Sequence, residues 1–265
     1  MMYNIKSMAK KSKFDLIIQA RIGSKRLPGK VLKSYKSKNL LNVLVNRLNK
    51  SNHIRKIIIC TTKLKQDERI VKFCKRNNIN FFKGENQDVL SRYYYAAKKF
   101  GSKIVIRITS DCPFIDYRIL DKMIQKFKSK NVDYYANTYP LPTKFPDGMD
   151  IEIFKFSTLK KTFENAKLPS EREHVTPYMY NSKKFKCKRM EIPKNFSKYR
   201  FCIDFKKDYL LFKKIIDEFK NNVYNVSMLD LIRYVNKNKK IIKYQENIKR
   251  NSGWEKSLKK DEKFK

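Results

Sequence analysis

The sequence predicts an α/β fold: a mixed, mostly parallel, Rossmann-like sheet with helices on both faces and a projecting hairpin or flap. Three observations lead there. Short apolar runs of strand length alternate with segments of helical period, the connections between them are short, and the pattern loosens only once, in a proline-rich stretch after Tyr134.

The elements follow in order. Phe14 to Gln19 is an apolar run ended by a loop containing Gly and Pro, as suits a buried first strand. Leu40, Leu41, Val43, Leu44, Val45 and Leu48 recur at helical spacing until Ser51-Asn52 breaks the pattern. Lys56 to Thr61 is a second buried strand, and a polar helix over Gln66 to Asn77 turns Ile70, Val71 and Phe73 inward. A short strand at Asn80 to Phe82, a helix over Val89 to Phe100 and a strand at Ile104 to Ile108 continue the alternation. Strand-helix repetition with short connections gives parallel neighbours.

From Tyr134 to Ile153 the chain carries several prolines and a Pro-Asp-Gly turn, which suggests the hairpin or flap. Helices are expected over Ser157 to Glu164 and Arg172 to Tyr180. A late strand at Arg200 to Ile203 and helices at Tyr209 to Phe219 and Met228 to Val235 complete the series. The expected organisation is a disordered basic extension (1–13), one domain (14–236) that includes the flap region (134–190), and a lysine-rich tail (237–265).

Composition narrows the functional classes. The chain has 265 residues, enough for one sizeable α/β core. Its five cysteines are scattered singly, without zinc-site spacing, which points to a reducing, cytoplasmic setting. No uncharged run reaches membrane-span length, and the first dozen residues lack the apolar core of a secretory signal. Sixty-three Lys and Arg against 25 Asp and Glu give a net charge of +38. Those cations are spread through every segment instead of forming one stripe, so a lysine-rich surface that attracts small anions fits better than specific nucleic-acid recognition.

In an open parallel sheet, ligands bind beyond the carboxyl ends of the strands. Three polar clusters fall there. The first, Gln19-Ala20-Arg21-Ile22-Gly23-Ser24-Lys25-Arg26-Leu27-Pro28-Gly29-Lys30, places four cations and two glycines directly after the first strand. Guanidinium forks and ammonium groups neutralise polyphosphate oxygens, while a glycine-containing backbone brings N–H donors close. The loop matches neither the Walker A pattern nor the Rossmann fingerprint.

The other two clusters are the carboxylates Asp111 and Asp204, each after a strand. A hard cation such as Mg2+ is held by one or two carboxylates together with substrate phosphates, which suits Asp111. Either residue has an alternative use as a helix cap, Asp111 ahead of Pro113 and Asp204 ahead of the helix near Lys207. Arg107 and Ser110 flank Asp111. Asp88 either caps a helix or joins Ser91 and Arg92 in lining the cleft. His174, within Glu171-Arg172-Glu173-His174, is a proton carrier, an anion contact or a structural histidine.

These motifs in their order resemble the sugar-acid cytidylyltransferases that act on sialic-acid-like and octulosonic sugars, in particular the spore-coat polysaccharide branch. The residues carrying the resemblance are Gln19 to Lys30, Asp88 to Tyr93, Arg107 to Pro113, Tyr139 to Glu152, Leu168 to Pro177 and Arg200 to Asp204, with Asn247 to Asn251 also similar. The better-characterised branches have Pro where this loop has Gln19.

The resemblance implies a nucleotidyltransferase fold of GT-A-like type, usually a homodimer joined through the region after Tyr134. It implies transfer of CMP from CTP to a sugar acid with release of pyrophosphate. Arg21, Lys30 and Asp111 would be catalytic. Gln19, Ala20, Gly23, Ser24, Arg26, Ser91, Arg92, Arg107 and Ser110 would join Arg21 and Lys30 around the nucleotide. Asp147, Asp150, Glu152, Glu171 and His174 would lie near the sugar, and Asp111 with Asp204 would hold Mg2+. The competing readings are a nucleotidyltransferase for another base or sugar, a glycosyltransferase consuming a nucleotide sugar, and a basic nucleic-acid-binding protein.

Overall fold

The computed structural model describes residues 13–238, 248, 250 and 252–264. The strands are β1 (Phe14–Gln19), β2 (Ile54–Thr62), β3 (Asn80–Gly84), β4 (Ile104–Thr109), β5 (Tyr134–Ala136), β6 (Glu152–Lys155) and β7 (Cys187–Arg189). They form one sheet in the order β3-β2-β1-β4-β6-β5-β7. β6 runs antiparallel to both its neighbours, and every other pairing is parallel. The expected mixed, mostly parallel sheet is present.

The alternation of β1 explains its burial on two sides. Leu16 and Ile18 face one core with Leu41 and Leu44 of α1 (Leu40–Leu48), Ile70 of α2 (Glu68–Arg76) and Met123 of α4 (Tyr117–Lys130). Ile17 faces the other, with Leu90 and Tyr93 of α3 (Val89–Lys99) and Leu159 of α5 (Phe156–Asn165). Side chains of successive strand residues point to opposite faces, so a strand covered by helices on both sides reads as continuously apolar. A third core joins α8 (Lys206–Phe219) and α9 (Met228–Lys237) to Leu40, Phe114, Phe145 and Phe201. The Arg47 guanidinium, fully buried, ties this layer down by donating to the carbonyls of Phe114, Ile115, Val223 and Val226.

Three expectations are corrected in detail. The hairpin from Tyr134 has its two strands inside the sheet, because Tyr134, Tyr135, Ile153 and Phe154 are too apolar to stand away from it. Arg200 to Ile203 is extended but makes only a single bridge, Arg200 with Asp147, so no late strand forms. It instead lies along loop ends, with Ile203 N donating to Asp111 O at 2.8 Å. The helix expected over Arg172 to Tyr180 is two short helices, α6 (Pro169–His174) and α7 (Pro177–Asn181), interrupted where Val175 takes a φ of 72° and Pro177 restarts the chain.

The basic extension expected over 1–13 lies, apart from Lys13, outside the described residues. In the expected tail, α10 (Ser252–Glu262) packs against α6, where Asp261 accepts a 2.8 Å bond from Ser170 N. Among the described residues, no helix is long and apolar enough to cross a membrane.

Candidate active site

The loop after β1 is held from below by a buried carboxylate that the sequence pattern does not reveal. Asp67 accepts from Ile22 N at 2.7 Å and from the Thr62 hydroxyl. Gly29 takes the left-handed conformation, φ 67°, and its N–H closes the loop on Ile22 O at 3.1 Å. Ser24 Oγ accepts from Leu27 N. Arg21, Gly23, Lys25 and Arg26 are exposed on the outer side, while Ala20 is buried and Gln19 accepts from Arg107 Nη2 at 3.3 Å. The loop therefore presents cations outward from a rigid base.

Lys30 points the opposite way, into the sheet's carboxyl end. Its Nζ donates to Asp111 Oδ2 at 3.0 Å, Asp204 Oδ1 at 2.6 Å and the Ile203 carbonyl at 2.8 Å, which uses all three ammonium protons. Burial pulls the ammonium pKa down, but Asp111 and Asp204 outweigh it and raise it above the ordinary lysine value. Burial also pushes the Asp111 carboxyl up, and Lys30 reverses this to hold it at about 2. Asp111 is thus ionised at neutral pH.

Neither carboxylate is spent as a helix cap. Asp116 caps α4 through Arg118 N, and Asp208 takes the N–H groups of Asp204 and Phe205 at the start of α8. Asp204 instead pairs with Lys30 and, at 3.0 Å, with Arg26. Ser110, buried, donates its N–H to Gln19 O at 3.1 Å and so joins β4's end to the loop.

The residues present fit a hard divalent cation. Asp111 and Asp204 each bring a carboxylate oxygen to the Lys30 ammonium, and their side chains keep exposures of 25% and 18%. The neighbouring thiols are poor partners for such an ion: despite its bond with Cys202, Cys112 is pushed up to about 11 by burial, and Cys202 is raised further by its bond with Cys112 and by burial.

Between β3 and α3, an open recess of about 250 Å³ is lined by Lys63, Phe82, Gly84, Ser91, Arg92 and Tyr95. Asp88 caps α3 by accepting from Ser91 N at 2.9 Å, so its helix role holds. Arg92 is buried, and its Nε has no hydrogen-bond partner among the described residues. Burial lowers the Arg92 pKa, and the charge of Arg21 lowers it further. A buried guanidinium with an unpaired Nε at the wall of a recess is suited to an electron-rich ligand.

A second, narrow recess is lined by Arg107, Tyr139, His174, Thr176, Tyr180 and Trp254. Glu152 lies behind it, buried, with its carboxylate on Arg107, the Tyr134 hydroxyl and, at 2.5 Å, the Thr176 hydroxyl. His174 Nε2 shares a 2.9 Å bond with Ser257 Oγ of α10, and burial, then Arg107, lowers its pKa to about 4. It is neutral at neutral pH. Glu171 is a helix-start acid, accepting from Lys167 N and Leu168 N.

Asp147 and Asp150 lie near Asp111, with Asp150 Oδ2 3.9 Å from Cys112 Sγ. Asp147 pairs with Arg200, and Asp150 accepts from Arg250 at 3.1 Å and Gly148 N at 2.9 Å. Burial and the Asp150 charge raise the Asp147 carboxyl to about 6 against the pull of Arg200 and Arg250. Arg250, Trp254 and Ser257 come from the stretch read as a tail. Its only usable signal was the Asn247 to Asn251 similarity, since Trp254 and Ser257 stand among lysines without a motif of their own.

A rigid basic loop, a pair of carboxylates joined by Lys30 at the carboxyl end of the sheet and a doubly wound fold together define a nucleotidyltransferase. The chain matches the cytidylyltransferase family over residues 16–253 and belongs to it. It is 33% identical over 230 residues to the spore coat polysaccharide biosynthesis protein SpsF of Bacillus subtilis, covering 84% of this chain and 93% of that one. It is 25% identical over 175 residues to the 3-deoxy-manno-octulosonate cytidylyltransferase of Idiomarina loihiensis, covering 62% and 66% of the two chains. A solved cytidylyltransferase from Leptospira borgpetersenii superposes with a TM-score of 0.82 at 36% identity, covering 90% of this chain and 100% of that one. The expected place in the sugar-acid cytidylyltransferases, SpsF branch, is borne out.

Proposed function

We propose that this cytidylyltransferase transfers CMP from CTP to a hydroxyl of a sugar acid, with Mg2+ and with release of pyrophosphate, in the making of a surface polysaccharide or glycan. The observation that carries the reading is the position of Lys30, bonded at once to Asp111 and Asp204 beneath an outward-facing basic loop.

In this mechanism Arg21, Lys25 and Arg26 bind the triphosphate, aided by the backbone N–H of Gly23. Ser91 and Arg92 line the recess that takes the base and ribose, and the unpaired Nε of the buried Arg92 supports an electron-rich occupant. Lys30 holds the two carboxylates apart and oriented. Asp111 and Asp204 would hold Mg2+, which when bound supplies charge neutralisation at the reacting phosphate. Asp147, Asp150 and the recess of Arg107 and His174 receive the acceptor. A neutral His174 can position it but offers no acid, so placement and electrostatics do most of the work.

The reading includes a homodimer through residues 134–190 and a cytoplasmic setting. Five free thiols support a reducing compartment. The test is pyrophosphate release with each of the four common nucleoside triphosphates, a panel of sugar acids and neutral sugars, and Mg2+ present or chelated. Release that requires CTP, one sugar acid and Mg2+ is expected. Release with a neutral sugar, or undiminished by chelation, overturns the substrate or metal assignment respectively.

A further inference from the structure

Two cysteines far apart in sequence, Cys112 after β4 and Cys202 in the extended segment before α8, bring their sulfurs close together beside the paired carboxylates. Sulfur of Cys112, sulfur of Cys202 and a carboxylate oxygen of Asp111 all lie within 4.8 Å of one another. Asp111 divides its two oxygens: Oδ2 faces Lys30 at 3.0 Å, and Oδ1 faces Cys112 Sγ at 3.7 Å. Asp204 does the same, with Oδ1 on Lys30 at 2.6 Å and Oδ2 3.8 Å from Cys202 Sγ. The sulfurs therefore look onto the carboxylate edges that Lys30 leaves free.

We infer that Cys112, Cys202 and Asp111 form a capture site for a thiophilic divalent cation, zinc or cadmium, overlapping the hard-cation position. Zn–S bonds of about 2.3 Å and Zn–O bonds of about 2.1 Å in a tetrahedral centre put sulfur and oxygen about 3.6 Å apart. The two S···O distances of 3.7 and 3.8 Å meet that spacing without backbone movement. The fourth position falls to water, because Asp204 Oδ2 is held by Arg26 at 3.0 Å and Arg200 at 3.6 Å. Asp150 Oδ2, 3.9 Å from Cys112 Sγ, is a further oxygen at the rim.

Sulfur ligands and the general order of divalent affinities favour zinc over magnesium here. Each thiol gives its proton to solvent as its sulfur binds, so one captured ion releases two protons. An ion held on Asp111 Oδ1 withdraws that carboxylate from magnesium. Micromolar zinc thus becomes an inhibitor of the magnesium-dependent reaction. This inhibition rests on the proposed function, whereas the capture of the ion does not.

Reduced, chelator-treated protein titrated with cadmium, without magnesium, should develop a thiolate-to-metal ultraviolet band saturating at one equivalent, with two protons released per ion. The C112S/C202S variant should lose the band and bind at least about 100-fold more weakly. Should that variant fail to fold, the C60S/C74S/C187S variant, which keeps only the two proposed ligands, should retain the full band. X-ray absorption of the zinc-loaded wild-type protein should show two sulfur neighbours at about 2.3 Å. A band that survives in C112S/C202S, a band lost in C60S/C74S/C187S, or a zinc shell without sulfur would overturn the site. Loss of zinc inhibition in C112S/C202S with its pyrophosphate release intact supports the overlap. Release equally zinc-sensitive in both proteins refutes the overlap.

Discussion

Lys30 Nζ lies 2.6 Å from Asp204 Oδ1, a contact made across 174 positions of sequence. The same ammonium reaches Asp111 at 3.0 Å, so a single side chain joins the end of the first loop to the end of β4 and to the extended segment before α8. Three groups that have no sequence proximity are thereby set in one geometry before any substrate arrives.

Removing that cation should cost both activity and stability. In Lys30→Met Asp111 loses its ammonium partner and Asp204 keeps only Arg26 and Arg200, so the transition state loses a preorganised donor scaffold. A fall in kcat/KM of about 100-fold to 1000-fold is expected, the size seen when one preorganised donor is lost. Pyrophosphate release measured beside a thermal melt checks it, and a Lys30→Met enzyme within threefold of wild type rejects the role.

Asp111→Asn keeps the shape and removes the charge. It should abolish magnesium-dependent turnover while leaving the fold intact, because Asn still accepts from Lys30. Titrating magnesium into the variant should give no recovery of rate. Full recovery at high magnesium would show Asp111 to be dispensable as a ligand.

The buried Arg107 and Glu152 pair predicts a stability effect. Glu152→Gln leaves the Arg107 guanidinium buried beside a neutral amide, and it weakens the Tyr134 and Thr176 bonds. Breaking one side of a buried pair costs about 3–5 kcal/mol. Urea denaturation should show a midpoint lowered accordingly with an unchanged slope.

His174 makes a pH prediction with a definite sign. Its folded pKa, about 4, lies below the unfolded value near 6.5. The unfolded chain therefore takes up a proton first as pH falls, and stability should decline from about pH 6.5 toward pH 4. His174→Gln should lose this part of the decline in thermal melts across that range. The pH–rate profile near neutrality should carry no His174 limb.

Much of the fold could be read from the sequence because its signals are local. Phe14 to Gln19 and Lys56 to Thr61 are apolar enough to be strands wherever they pair, and Leu40 to Leu48 has a period that only a helix satisfies. The cation-rich loop from Gln19 to Lys30 and the acids at Asp111 and Asp204 were recognisable as residue types suited to a polyphosphate and a metal. By itself the sequence thus determined the alternating fold and the chemistry of its loops.

Tertiary structure decided what each charged group does, since a carboxylate's role depends on which distant partner reaches it first. Asp204 looked as much like a helix cap as a ligand until Asp208 was found to fill that need. Glu171 serves α6 and Glu152 serves Arg107, although both stand in the same motifs as the site residues. Arg250, Trp254 and Ser257 reach the site only because α10 folds back onto α6. Hydrogen bonds and ion pairs act over a few ångströms of space and are indifferent to separation along the chain. No periodicity or motif could therefore pair Lys30 with Asp204, or Cys112 with Cys202.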